Sequence, residues 1–233
     1  MMLIFFDETY RDNFFPLTLT RPTADLRIGI LKISEKWQHY FKAECAYKTA
    51  SYLNCKFPFK TAASNLFING TICPDDKLAT AINNLHEGQA LYKNQTLIAV
   101  WLNEGNASLF TENNLAPYQA IYYTGNLLDI TYPEDIFSKN NIALNADFEL
   151  LTKGKTSASL SNTNTIIGNN IFVEEGVEAE CATFNTLAGP IYLGKNSQVW
   201  EGTNIRGSLA LCHNSQIKMG SKIYGATTIG PHS

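Results

Sequence analysis

The sequence predicts two consecutive folds, an α/β domain and then a solenoid of short parallel strands. From residue 167 onward aliphatic side chains recur every six positions, whereas before residue 150 short apolar strands alternate with segments of helical period. Composition sets the class: 233 residues with 45% hydrophobic and 12% aromatic content hold ample core material, and 17% charged lies below the roughly 25% of an average soluble chain. Wholesale disorder is excluded. A net charge of −3 without any Lys/Arg run gives no field for nucleic acid or an anionic membrane surface, so neither is expected as a partner.

The chain opens with MMLIFFDE, which has no basic n-region and meets an acid after a short apolar run, so residues 1–6 are expected as a buried strand rather than a signal peptide. No apolar stretch is long enough to span a bilayer, and a cytoplasmic protein is expected. Ile30, Ile33, Trp37 and Phe41 have helical spacing over 30–41, and 65–69 reads as a second strand. Pro74-Asp75-Asp76 opens a helix through Leu78, Ile82 and Leu85, with Gly88 past its end. Residues 90–92 and 96–102 flank Lys93-Asn94-Gln95 as a hairpin. Pro133-Glu134-Asp135 starts another helix running towards Leu150, and the polar run from Thr152 to Asn164 reads as a connection. The expected boundaries are 1–150 for the α/β domain, 151–164 for the linker and 165–233 for the solenoid. Five cysteines, at 45, 55, 73, 181 and 212, are odd in number and lack CxxC spacing. Neither a disulfide framework nor a zinc site is expected, and the thiols read as buried and inert.

The solenoid rests on the clearest pattern in the chain. Leu193, Val199, Ile205, Leu211, Ile217, Ile223 and Ile229 stand six apart, and four positions after each comes Ser197, Thr203, Leu209, Ser215, Ser221, Thr227 or Ser233. Six of these seven partners are small hydroxyl residues. The phase reaches back to Leu187 and, after a two-residue slip, to Ile167, Val173 and Ala179. An inward aliphatic followed by a turn every six residues describes stacked parallel strands, three faces to a coil. An antiparallel sandwich would instead show turns roughly every 8–12 residues. The sequence stops inside a hexapeptide without a cap, and further coils are expected beyond it.

Between the first strand and the first helix lies DETYRDNFFPLTLTRPTADLRIG, which holds Arg11, Arg21 and Arg27, three of the four arginines in the protein. A guanidinium fork binds phosphate bidentately, and this loop follows a strand at the edge where open α/β sheets take ligands. The competing structural role is pairing with Asp7, Glu8, Asp12 and Asp25 nearby.

Two resemblances follow from these residues. The six-residue period resembles that of the hexapeptide-repeat family, and the resemblance implies a left-handed parallel β-helix, a hand that the period alone does not supply. The strand, Arg11, Pro16-Leu17-Thr18 and Pro22 resemble the first motif of the sugar-phosphate nucleotidyltransferases, a strand followed by GxGTRxxPLTxxxPK. The layout of the two parts is similar to that of the bifunctional enzymes that make UDP-N-acetylglucosamine, and the chain resembles shorter, divergent members of the group. The resemblance implies a Rossmann-like nucleotidyltransferase domain that moves a nucleotidyl group from a nucleoside triphosphate to a sugar 1-phosphate and releases pyrophosphate. It assigns Arg11, Arg21 and Arg27 to catalysis and Arg11, Thr18, Asn69 and Gly70 to nucleotide and phosphate binding. It also implies magnesium, with Asp7 and Asp75 as candidate ligands, His232 as a candidate base for acyl transfer on the helix, and a homotrimer. The chain departs from the motif where Asp-Glu-Thr-Tyr replaces its glycines, Thr23 its lysine, and Thr71 the acid of a later Gly-Asp. These departures suit an alternative in which the first domain binds a sugar nucleotide without making one, on an acyltransferase or trimer scaffold.

Overall fold

Five consecutive apolar residues form β1 (Met2–Phe6), buried along its whole length. It belongs to the first of two units of a computed structural model that describes residues 1–7, 9–112 and 118–233. The first unit comprises Met1–Arg27 and Lys32–Ile136, the second Ile28–Leu31 and Phe137–Ser233.

In the first unit β1 is followed by α1 (Ile33–Phe41), β2 (Glu44–Lys48), β3 (Ser64–Asn69), β4 (Ile72–Cys73), α2 (Asp76–Asn83), β5 (Gln89–Lys93), β6 (Thr96–Asn103), α3 (Glu104–Leu109), β7 (Gln119–Tyr122) and β8 (Leu128–Asp129); α4 (Pro133–Ser138) closes it. Six strands make one mixed sheet in the order β2-β1-β3-β6-β5-β7. Strands β2, β1 and β3 are mutually parallel, and β5 and β6 are the expected hairpin, with Asn94 at φ 53 in its turn. Met2, Ile4 and Phe6 pack with Phe67, Val100 and Phe110 on one face, while Leu3 and Phe5 are as deeply buried on the other. Sequence periodicity overlooks β2, because Glu-Cys-Ala-Tyr-Lys is an edge strand with only Ala46 fully buried. The first helix starts at Ile33, where the Lys32 amide donates to the Glu35 carboxylate at 2.7 Å, and Ile30 lies outside it.

The second unit begins in sequence with the short segment Ile28–Leu31, which α5 (Asn140–Thr152) holds. Asp147 Oδ2 accepts from the Ile30 amide (2.8 Å) and the Leu31 amide (3.0 Å), and Asn140 Oδ1 accepts from Gly29 (2.8 Å). Gly29 has φ +74, and a Cβ there would meet Ala143 backbone at 2.7 Å, so no other residue fits. The single helix expected from Pro133 is therefore two, since α4 buries nothing whereas α5 turns Asn140, Ala143, Leu144, Asp147, Phe148 and Leu151 inward.

The rest of the unit is a coil of eleven strands in three all-parallel sheets. They are β9 (Thr165–Ile167), β10 (Ile171–Val173), β11 (Glu178–Ala179), β12 (Thr183–Asn185), β13 (Ile191–Leu193), β14 (Gln198–Val199), β15 (Asn204–Arg206), β16 (Leu209–Leu211), β17 (Gln216–Ile217), β18 (Lys222–Tyr224) and β19 (Thr227–Ile229). The sheet orders β10-β13-β16-β19, β11-β14-β17 and β18-β15-β12-β9 mean that each circuit places one strand on each wall. Leu193, Val199, Ile205, Leu211 and Ile217 all face the interior, with Ile223 and Ile229 packed against them, as the six-residue period requires. Hydroxyl residues occupy the corners, where Ser221 donates to the Lys218 carbonyl at 2.7 Å and Ser197, Thr203 and Ser215 are buried.

Three expectations need correction. Leu187 is exposed, and Phe184 takes the inward position opposite Ile205, because the extra residues of that circuit form a turn in which the Leu187 amide donates to Asn185. The polar run before the coil is bonded onto the first circuit: the Ala158 amide donates to Val173, Asn164 bonds Ala179 and Ala182, and Leu160 packs on the core. Cys55 and Cys181 are exposed, although all five thiols are free. On the wall of β10, β13 and β16, the outward Phe172, Tyr192 and Ala210 are covered by Leu144, Phe148 and Leu151 of α5 together with Ile30.

Asp147→Ala removes the acceptor for two amides at once and should cost roughly 2–4 kcal/mol in urea unfolding, whereas Asp147→Asn, which keeps an acceptor, should lose clearly less. Equal losses would show that the charge, rather than the hydrogen bonding, holds the segment.

Candidate active site

Strand register places the site. Phe6 lies opposite Lys48 and Asn69 in the parallel strands, so the next residues, Asp7, Thr49 and Gly70, leave the sheet at one edge, at the carboxyl ends. From Asp7 the chain turns back at once: the Arg11 amide donates to the Asp7 carbonyl (3.0 Å), and Arg11–Phe14 forms a short 3-10 turn. Four residues separate Arg11 from Pro16, where the motif has two. A cavity of about 300 Å³ opens at this edge, with Asp7, Arg11, Asp12, Lys48, Thr49 and Ser51 among its lining residues.

Arg11 is buried, and its fork is engaged within the loop. Nη2 donates to the Thr18 carbonyl (2.8 Å) and to the Tyr52 hydroxyl, and Nη1 lies 3.4 Å from the Asp12 carboxylate. The Thr18 hydroxyl returns a bond to the Arg11 carbonyl at 2.7 Å. The guanidinium also lies over the rings of Phe15 and Tyr52, 5.2 and 5.3 Å from their centroids. Such contacts contribute roughly 0.5–2 kcal/mol each. Only Nε remains, buried and without a hydrogen-bond partner.

Asp7 is matched on one side alone. Its Oδ2 accepts from the Thr23 amide (2.7 Å) and hydroxyl (3.2 Å), whereas Oδ1 is buried and unpartnered, as is Thr49 Oγ1. Burial pushes the Asp7 carboxyl above its ordinary range, and the Thr23 amide, the Thr49 and Thr23 hydroxyls and the Arg11 charge draw it only partly back. Thr49 is thus near enough to act on the Asp7 charge without completing a hydrogen bond of good geometry.

With this edge described, comparison with known families is decisive: residues 3–156 match the model of a family described as sugar nucleotidyl transferase. The chain belongs to the sugar nucleotidyl transferase family. No curated protein matches it.

Of the family's motif residues, the structure gathers Arg11, Thr18 and Asp7 into one loop and leaves the others in separate settings. Arg21 reaches Asp25 only at 3.9 Å with its side chain 43% exposed, while Arg27 lies 3.6 Å from Glu35. Neither is among the described residues that line the cavity. Asn69 closes a tight turn, its Oδ1 accepting from the Thr71 amide and hydroxyl and its Nδ2 donating to Leu97 at 3.1 Å. Gly70 donates to the Phe6 carbonyl at 2.8 Å, and a Cβ there would press on Ala24 and Phe6 at 3.2 Å. Asp75 caps α2, accepting from the Leu78 amide at 2.7 Å. His232 stands edge-on to His213 in the second unit, ring centroids 5.2 Å apart. Glu8 lies outside the described residues. Among the described residues no three acidic, histidine or cysteine side chains converge as a metal cluster, and no helix is long and apolar enough to cross a membrane. Sequence reading missed Lys48, Thr49 and Tyr52, whose relevance depends on β2 lying beside β1; the polar run Lys48-Thr-Ala-Ser51 after Tyr47 is the one local sign of a strand end.

Arg11→Ala should lower the melting temperature by several degrees, because it strips the Thr18 carbonyl and Tyr52 of their buried donor at a cost of roughly 2–4 kcal/mol. Arg11→Lys should restore little, since an ammonium lacks the planar fork. A melt unchanged in both variants would show that the loop does not rest on Arg11.

Asp7 gives a pH dependence of definite sign. The folded state keeps its proton to higher pH than the unfolded chain, so this stabilisation is complete below the ordinary carboxylate value and is lost as pH rises through the raised one. The melting temperature of Asp7→Asn, which cannot ionise, should gain on that of the native protein as pH climbs from about 4 towards neutrality. A difference constant with pH would contradict the burial of Asp7.

Proposed function

We propose that this protein transfers a nucleotidyl group from a nucleoside triphosphate to a sugar 1-phosphate. The observation that carries the reading is the coincidence of the family match with a cavity at the carboxyl ends of β1 and β2, lined by Asp7, Arg11, Lys48 and Thr49 among others. A phosphate oxygen of the sugar phosphate attacks the α-phosphorus in line, the new P–O bond forms as the α–β bridge breaks, and pyrophosphate leaves. Protein groups then act by positioning and by charge. Of the three loop arginines, Arg21 is the most available to a polyphosphate, being half exposed and loosely paired two residues before Thr23, which is itself bonded to Asp7. Both acidic candidates are engaged within the fold: Asp75 caps α2, and Asp7 Oδ2 accepts from the Thr23 amide and hydroxyl. Magnesium is therefore read as arriving with the triphosphate, as part of the substrate.

The three stacked parallel walls support a β-helix over 165–233, with its left hand implied by the hexapeptide-repeat resemblance, preceded by a nucleotidyltransferase-like domain over 1–150 and the connection 151–164. One wall is covered by α5, so trimer packing would use the other two, where Arg206 and Tyr224 are exposed. A second reading, a domain that binds a finished sugar nucleotide without making one, is favoured by the internal engagement of the Arg11 fork.

Pyrophosphate release measured across four nucleoside triphosphates and common hexose 1-phosphates should show turnover with at least one pair. Absence of turnover with every pair in a folded sample, together with tight metal-independent binding of a sugar nucleotide by calorimetry, would replace catalysis with the binding role. Light scattering should give a mass about three times the 25.9 kDa of one chain, and a monomer at micromolar concentration would remove the trimer.

A further inference from the structure

The six-stranded sheet of the first unit has two edges, and the fold treats them differently. Beside β2 the chain folds back, so that the Tyr47 amide donates to the Pro58 carbonyl at 3.2 Å, and the strand itself carries Glu44 and Lys48. At the other edge lies β7, which pairs in parallel with β5 alone. The Gln119 amide donates to the Gly88 carbonyl (2.9 Å) and the Tyr123 amide to the Tyr92 carbonyl (2.7 Å). Residues 119, 121 and 123 therefore turn their backbone groups to β5, and Ala120 and Tyr122 turn theirs outward. Among the described residues none bonds the amides of Ala120 and Tyr122.

An outward row of amides and carbonyls is a template for another strand, and natural sheets guard it with charge, proline, a bulge or a covering segment. No such guard stands on β7. Gln119-Ala-Ile-Tyr122 holds neither charge nor proline, its register with β5 is regular, and no charged residue occurs between Glu112 and Asp129. Ala120 is exposed, and Tyr122 is 68% exposed with its ring 6.2 Å from that of Tyr92.

We propose that β7 is a self-association edge, on which the β7 of a second copy adds antiparallel and joins the two sheets into one. The strand complements itself. In an antiparallel ladder the residues that exchange hydrogen bonds must both face outward, which Ala120 opposite Tyr122 of the second copy satisfies twice about a twofold axis at Ile121. That register sets a small side chain against a large one on each side of the axis. Charge is matched too, because a neutral strand meets itself without opposing like charges, whereas a charged partner strand would find no counter-charge here. A ladder this short lies well below the area of a stable interface, so the contact shows at high concentration and doubles whatever species the coil sets.

Sedimentation of the full chain from low micromolar to roughly 1 mM should give a mass that doubles, from monomer to dimer or from trimer to hexamer. Ala120→Pro, which removes an outward N–H that β5 does not use, should abolish the doubling, as should Tyr122→Lys, which places a guarding charge on the edge. The lysine variant decides if the proline variant does not fold. Register is read by disulfide trapping with diamide as oxidant, in a Cys55→Ser, Cys181→Ser background that removes the exposed thiols. Ile121→Cys should cross-link two copies, since facing residues at such a pair stand about 4.5 Å apart at Cα, within disulfide reach. Gln119→Cys should not, because the register puts two such residues about four positions apart along the ladder. A mass that stays constant over the range overturns the proposal. So do a threefold rise, which belongs to the coil alone, a doubling that survives both edge variants, and cross-linking no faster at position 121 than at 119. None of these outcomes touches pyrophosphate release, so the transferase reading stands or falls separately.

Discussion

The loop after β1 depends on a single buried residue, Asp7. Asp7 ends β1, accepts the Arg11 amide at its carbonyl and draws Thr23 back onto Oδ2, so the loop from Arg11 to Thr23 is tied at both ends to one residue. A buried acid is costly unless donors surround it, and Thr23 supplies an amide and a hydroxyl in one side of the turn. This links two departures from the family motif. Once an acid stands in the stretch where the motif has glycines, a small donor in the place of the motif's lysine completes it, and the two changes belong together.

Arg11 then organises what lies between those ties. Its exchange of hydrogen bonds with Thr18 closes the chain over seven residues, and the guanidinium lies over the rings of Phe15 and Tyr52. The preference for arginine over lysine at this position is explained by that environment: a planar group with several donors can lie over aromatic rings and still bond a carbonyl edge-on, which an ammonium cannot do. Three arginines in one loop look alike in a sequence, yet the fold gives them three different settings, one buried, one loosely paired and half exposed, and one beside Glu35.

How much of this was legible follows from how local each constraint is. The coil was readable because every circuit repeats one requirement, an apolar residue inward and a small one at the corner, so Leu193 to Ile229 could be assigned from spacing alone. The phase failed at Leu187 because an irregular turn is invisible to a fixed period, and Phe184 filled the rung instead. In the first unit β1, β3 and the β5–β6 hairpin announce themselves by apolar runs, whereas β2 does not, since its neighbour rather than its own composition makes it a strand. The site inherits that difficulty. Asp7 and Arg11 could be named from the loop, but Thr49 and Tyr52 join them only through pairing across about 40 residues.

The same logic bears on where charge can act in the family's reaction. A motif arginine that faces solvent can follow a triphosphate through the transition state, while one held by carbonyl, hydroxyl and two rings is fixed in place and contributes direction more than charge. In this chain the fixed arginine lines the cavity and the looser Arg21, just before Pro22, does not.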